Sequence, residues 1–133
     1  MKNSWKIVIL ATFLVLIGQI LGVRFDLYTG DVVWLDLVLH VISGAVLAMV
    51  WIIISRSRVQ TTSLLAFTFL AGSFALFGSF AWEVFELAVN QNMPELAAEY
   101  SLRSSTVTDA ITDMLGGFVG GLIWGFLSFK NNN

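Results

Sequence analysis

Four long apolar stretches constrain the fold of this chain more than any other feature of its sequence. They cover residues 5–23, 32–54, 64–89 and 107–129. At a rise of about 1.5 Å per residue, each is long enough to cross a hydrocarbon core of about 30 Å as an α-helix. Membrane-spanning strands are disfavoured, because the stretches are continuously apolar and do not alternate with polar residues. The sequence therefore predicts an all-α polytopic membrane protein built as a four-transmembrane-helix bundle.

The composition agrees with a membrane protein. Of the 133 residues, 57% are hydrophobic and only 12% are charged, and the mean hydropathy is +0.83. These values are far too apolar for a soluble domain of this length. Cysteine is absent, which excludes disulfides and thiolate metal sites. We expect one transmembrane domain over residues 1–133, with the first stretch kept as a span because no small-residue cleavage site follows it.

The basic residues predict the orientation. In a four-span topology one side carries five of them and the other side carries only Arg24 and Arg103. Cytoplasmic connections are enriched in Lys and Arg, so both termini are predicted to be cytoplasmic. The five residues on that side are Lys2, Lys6, Arg56, Arg58 and Lys130.

The connection between spans three and four has a helical pattern. Asn92 precedes Glu95 by three residues and Pro94 lies between them, which predicts a short capped helix. Apolar residues then recur at helical spacing, at Met93, Leu96, Ala97 and Tyr100. We expect this amphipathic helix to lie on the bilayer surface or over the mouth of the bundle, as a connector or as a lid.

Span four contains small residues at four-residue spacing, which let helix backbones approach closely in lipid. The pattern predicts a packing seam, either inside the chain or between two copies in a homo-oligomer. The residues are Gly116, Gly117, Gly120, Gly121 and Gly125.

Six ionisable residues lie near the outer ends of spans two, three and four, within about 4 to 12 Å of those ends. Within each span the two partners are separated by three or four residues, which places them on one helix face. An acid at the centre of a span costs about 2.5 to 3.5 kcal/mol on insertion, so a lipid-facing position for this group is disfavoured. The residues are Asp36 and His40, Glu83 and Glu86, and Asp109 and Asp113.

Each of these residues also has an ordinary structural explanation. Asp109 could complete a helix cap with Thr106, Asp36 could be an interfacial acid, and His40 could be a hydrogen-bonded core histidine. Together, however, five carboxylates inside a bundle repel one another unless they share protons or a cation compensates them. No lysine or arginine lies at this depth.

We therefore predict a divalent-metal site. Its main ligands are His40, Glu83, Glu86 and Asp113, whereas Asp36 and Asp109 are the residues most readily reduced to capping or supporting roles. Oxygen ligands favour Mg, Mn or Ca, and the histidine also permits Zn or Fe.

Several of these motifs resemble those of the small bacterial VanZ-like and YjdF-like membrane families. They are Asp36 with His40, the segment WEVFE that carries Glu83 and Glu86, and the segment RSSTVTDAITDMLGG that carries Asp109 and Asp113. The VanZ-like pattern has Gln at the position of Glu86 and Asn at that of Asp113, so this chain is more similar to the YjdF-like pattern. The resemblance implies a helical bundle in the bacterial cytoplasmic membrane whose polar site faces out of the cytoplasm.

Three classes of function are compatible with these residues. The first is a metal-dependent enzyme at the outer membrane face that hydrolyses or transfers groups on a lipid-linked or cell-envelope phosphate. The second is a cation- or proton-coupled carrier, since intramembrane acids also line ion pathways. The third is a structural or accessory subunit in which the metal only joins the helices. The sequence contains no nucleic-acid-binding patch.

Overall fold

A computed structural model describes residues 2–25, 27, 34–55, 63–100, 102 and 106–130. This part of the chain contains no strand, which confirms the predicted all-α architecture. It forms five helices: α1 (Lys2–Arg24), α2 (Trp34–Ser55), α3 (Leu64–Asn92), α4 (Pro94–Glu99) and α5 (Val107–Lys130).

Four of the helices are long and apolar enough to cross a membrane, as predicted. The spans are Trp5–Arg24, Trp34–Ser55, Leu64–Asn92 and Val107–Phe129. Many large apolar side chains on these helices are exposed, including Leu10, Phe13, Phe77 and Ile123. Such a surface suits a lipid bilayer and not water.

Three helices form the centre of the bundle. Helix α5 packs along both α2 and α3, and α2 and α3 also contact each other. Helix α1 lies outside this group and packs mainly on α2, while the short helix α4 packs on α3. Any site enclosed by several helices therefore lies between α2, α3 and α5.

The glycines of α5 explain how the three central helices approach so closely. A Cβ on Gly44 of α2 would overlap the carbonyl oxygen of Gly117, and a Cβ on Gly120 would overlap that of Val41. A Cβ on Gly121 would lie within 3.0 Å of backbone atoms of α3. Only glycine permits these backbone contacts. Close packing by the span-four glycines is thus found inside one chain, where all five are buried, and a homo-oligomer that uses them stays a prediction.

Helix α3 extends three residues beyond its predicted end at residue 89. The backbone N–H of Met93 donates to the carbonyl oxygen of Val89, which continues the helical hydrogen bonding to Asn92. The Asn92 amide donates back to the carbonyl oxygen of Ala88 at 2.7 Å. Asn92 therefore belongs to the last turn of α3, and the prediction that it caps the next helix is wrong.

The predicted short helix in the outer connection is present as α4. Met93 occupies the N-cap position without a side-chain cap, and Pro94 occupies the first turn, where a missing N–H costs no helical hydrogen bond. Ala97 is buried, whereas Met93, Leu96 and Tyr100 are exposed. Ala97 therefore holds α4 against the bundle, and the larger apolar side chains remain accessible to a bilayer surface.

Candidate metal site

The six predicted site residues come in pairs from the three central helices. Helix α2 provides Asp36 and His40, α3 provides Glu83 and Glu86, and α5 provides Asp109 and Asp113. Because the partners are three or four residues apart, each pair returns to one helix face. The packing of α5 against α2 and α3 then brings several of these faces together.

His40 lies between two carboxylates. Its Nε2 atom is 3.9 Å from Oδ1 of Asp36 and 4.0 Å from Oε1 of Glu83. Both distances exceed the range of about 2.7 to 3.2 Å for a hydrogen bond, so the groups are close without being directly bonded. The imidazole is therefore placed where α2 and α3 meet.

Asp113 brings a potential ligand from the third helix. One ligand atom from each of Asp36, His40 and Asp113 lies within 4.8 Å of the others. Two bonds of about 2.4 Å on opposite sides of a calcium ion span about 4.8 Å. Zinc bonds of about 2.0 to 2.2 Å on opposite sides of the ion span at most about 4.4 Å, so a smaller ion requires ligand atoms that lie closer together. The three groups can thus surround one cation.

Exposure differs sharply between the two ends of this group. Glu83 and Asp113 are only 8% and 7% exposed, whereas the Asp36 side chain is 48% exposed. Asp109, one turn before Asp113, is also exposed. The group is therefore closed toward the middle of the spans and accessible from the end that carries Asp36.

The helices are in direct contact one turn further toward the middle of the membrane. Ser79 of α3 is 5% exposed, and a Cβ on Gly117 of α5 would overlap its hydroxyl oxygen. Gly44 of α2 meets the same Gly117 from the other side. These three residues form a floor beneath the site.

Glu86 lies at the edge of the site. Its carboxylate interacts electrostatically with those of Glu83, Asp36 and Asp113, although it is not one of the three closest ligand groups. The indole Nε1 of Trp82 donates a hydrogen bond of 2.9 Å to Oε1 of Glu86. Trp82 was not among the predicted site residues, although its spacing of four residues from Glu86 is the signal that could have identified it.

The two acids expected to have supporting roles differ in the structure. The backbone N–H of Asp109 donates to the Thr106 hydroxyl at 3.2 Å, which is the capping arrangement considered above. Asp36 instead belongs to the close group with His40 and Asp113. Asp109 therefore lies outside the close group, whereas Asp36 belongs to it at its accessible end.

Asn90 connects the site to the outer connection. Its amide Nδ2 donates to the carbonyl oxygen of Glu86 at 2.9 Å and to that of Leu102 at 2.5 Å. The side chain is partly buried. It joins the turn of α3 that carries Glu86 to the chain that follows α4, a role that the sequence pattern did not predict.

Comparison with known proteins gives one result. A family model described as "Predicted membrane protein (DUF2238)" matches residues 3–132, which include all six predicted site residues. No curated protein and no solved structure gives a significant match.

Proposed function

The chain belongs to the DUF2238 family of predicted membrane proteins, and we propose that it binds a divalent cation between α2, α3 and α5. The observation that carries this proposal is the convergence on His40. Asp36 and Asp113 place potential ligand atoms within 4.8 Å of an imidazole nitrogen and of each other, and Glu83 approaches Nε2 of His40 to 4.0 Å. Asp36, His40 and Asp113 thus share one small volume between α2 and α5, and Glu83 of α3 lies beside His40.

The charge of the site supports a cation. The spans that form it, 34–55, 64–92 and 107–129, contain no lysine or arginine. Buried carboxylates are costly unless they are paired or coordinate a metal, and Glu83 and Asp113 are both buried. A divalent ion compensates two negative charges in the space that the side chains enclose.

We further propose that the site faces out of the cytoplasm of a bacterial cell. The five-to-two distribution of basic residues supports this orientation, with both termini cytoplasmic. The resemblance of these motifs to those of VanZ-like and YjdF-like proteins would imply the same location. An ion in this position would be reached from the external surface, through the exposed end at Asp36.

The proposed chemistry is hydrolysis or group transfer on a lipid-linked or cell-envelope phosphate. A bound divalent metal would supply Lewis-acid polarisation of a phosphoryl oxygen or an activated water. Structural metal sites are usually closed by protein ligands, whereas catalytic sites keep an open position. The 48% exposure of the Asp36 side chain therefore favours an enzyme over a subunit whose metal only joins the helices.

A cation- or proton-coupled carrier is a less favoured function. A carrier needs a path from the site to the opposite membrane face. The floor of Ser79, Gly44 and Gly117 places α2, α3 and α5 in direct contact beneath the site. Transport through this chain would require these helices to separate, whereas binding from one side would not.

The proposal is tested by measuring metal in protein that has been purified without a histidine tag. Elemental analysis should find a divalent metal at about one equivalent, with loss in Glu83→Gln and Asp113→Asn. Glu99→Gln, which changes an exposed acid on α4, is the matched control and should keep the metal. Metal-free protein whose unfolding is unchanged by chelation, and which takes up no added Mg²⁺, Mn²⁺, Ca²⁺, Zn²⁺ or Fe²⁺, would refute the site.

A further inference from the structure

Trp82 is an exposed aromatic residue whose indole N–H makes an unusual hydrogen bond. It is 42% exposed, and its ring packs against that of Phe85 with centroids 5.4 Å apart. Packing alone would leave the indole N–H free to point toward the membrane interface, as it does in aromatic belts. The N–H instead donates to Oε1 of Glu86 across one helical turn.

Glu86 is the site residue whose carboxylate most needs a hydrogen bond to hold it in place. Its carboxylate is half-buried and experiences the negative charges of Glu83, Asp36 and Asp113. Its side chain has several rotatable bonds, so repulsion would favour rotamers that carry the carboxylate away from the other acids. A hydrogen bond from a neutral donor to an ionised carboxylate is among the stronger side-chain interactions and opposes this movement.

The backbone at Glu86 is held by a different residue, on its C-terminal side. Asn90, one turn further along α3, donates to the Glu86 carbonyl oxygen and to that of Leu102. Asn90 therefore orders the turn, but it does not touch the carboxylate. Among the hydrogen bonds of the described residues, the one from Trp82 reaches the carboxylate and restrains its orientation.

We propose that Trp82 is a positioning residue of the cation site. Its indole N–H holds Oε1 of Glu86 and leaves Oε2 available to the ion, directly or through a water. This inference rests on the proposed function, because it assigns Trp82 a role in binding that cation. Donors to metal-binding carboxylates commonly change metal affinity by about 10- to 100-fold when they are removed.

The test compares Mn²⁺ affinity among variants, measured from the electron paramagnetic resonance signal of free Mn²⁺. Trp82→Phe keeps an apolar ring but removes the donor, and should weaken binding about 10-fold. Trp5→Phe is the matched control, since Trp5 is an exposed tryptophan on α1, and it should bind as the wild type does. In a Glu86→Ala background, which lacks the carboxylate that accepts this hydrogen bond, Trp82→Phe should have no further effect.

The outcomes separate this inference from the proposed site. Wild-type protein that binds none of Mg²⁺, Mn²⁺, Ca²⁺, Zn²⁺ and Fe²⁺ overturns both, and if it binds one of the other ions but not Mn²⁺, the same comparison is made with that ion. If Trp82→Phe binds Mn²⁺ with an affinity within twofold of that of the wild type, the positioning role alone is overturned. An equal loss of affinity in the wild-type and Glu86→Ala backgrounds also overturns it, because Trp82 would then act through the general structure.

A second measurement needs no substitution at Trp82. In wild-type protein with ¹⁵N-labelled tryptophan, addition of Mg²⁺ should shift the Trp82 indole N–H resonance and leave that of Trp5 unchanged. The resonances are assigned by replacing the other four tryptophans one at a time. A Trp82 resonance that does not respond to Mg²⁺, in protein shown to bind it, contradicts the proposed contact.

Discussion

The contact between Gly44 and Gly117 should control both the stability of the bundle and the geometry of the site. Gly44 lies one turn after His40 on α2, and Gly117 lies one turn after Asp113 on α5. The two backbones touch there, so this contact sets how near the helices come at the level of His40 and Asp113. A change at Gly44 would therefore perturb the proposed site without removing a proposed ligand.

We predict that Gly44→Ala destabilises the protein and weakens cation binding. The added methyl would overlap the carbonyl oxygen of Gly117, and neither atom can rotate away, so α2 and α5 must separate. Overpacking of this kind costs about 1 to 3 kcal/mol. Alanine recovers about 0.5 to 1 kcal/mol relative to glycine inside a helix. The net loss is then up to about 2.5 kcal/mol, or as much as about 70-fold in the folding equilibrium.

Gly78→Ala and Gly18→Ala are the matched controls. Their new methyl groups would meet only the side-chain ends of Leu47 at 2.5 Å and Leu39 at 2.9 Å, which can rotate. We expect both variants to be neutral or slightly stabilised. Unfolding in mixed micelles and Mn²⁺ titration measure the two effects. If Gly44→Ala matches the controls in both assays, the backbone contact does not hold the site together.

Three further predictions concern orientation, packing and the outer connection. Reporter fusions after Phe129 should read cytoplasmic and those within residues 92–101 should read external, because the basic residues favour that topology; reversed readings would move the site to the cytoplasmic face. Gly121→Leu should impair folding in detergent, whereas Val119→Leu should be tolerated because Val119 is exposed; equal tolerance would show that the seam is not tightly packed. Asn90→Ala should speed proteolysis of the outer connection, since it removes two hydrogen bonds; an unchanged cleavage rate would show that Asn90 does not hold this segment.

The fold could be predicted from the sequence because each apolar stretch contains many residues that indicate the same structure. The four apolar stretches predicted the number of spans correctly. Their lengths did not predict the exact residues at which the helices end. Helix α3 continues to Asn92 because Val89 still accepts a backbone hydrogen bond. The polar residues Asn90 to Asn92 contributed nothing to the apolar pattern, although they extend the helix.

The candidate site was predictable only in part. Helical spacing placed Asp36 with His40 on one face, but it could not rank Asp36 above Asp109, because that depends on how α2 and α5 cross. Trp82 and Asn90 were missed for a related reason. Their roles arise from individual side-chain hydrogen bonds, and a tryptophan or asparagine near the end of a span has many other possible partners.

The presence of a single histidine in the chain permits a direct test of the cation site. Mn²⁺ bound to untagged protein should show electron spin-echo modulation from one imidazole nitrogen, which can come only from His40. The modulation should disappear in His40→Gln protein, where any Mn²⁺ that remains is held by carboxylates. Bound Mn²⁺ without nitrogen modulation in the wild type would contradict a site centred on His40 and would place the ion elsewhere among the acids.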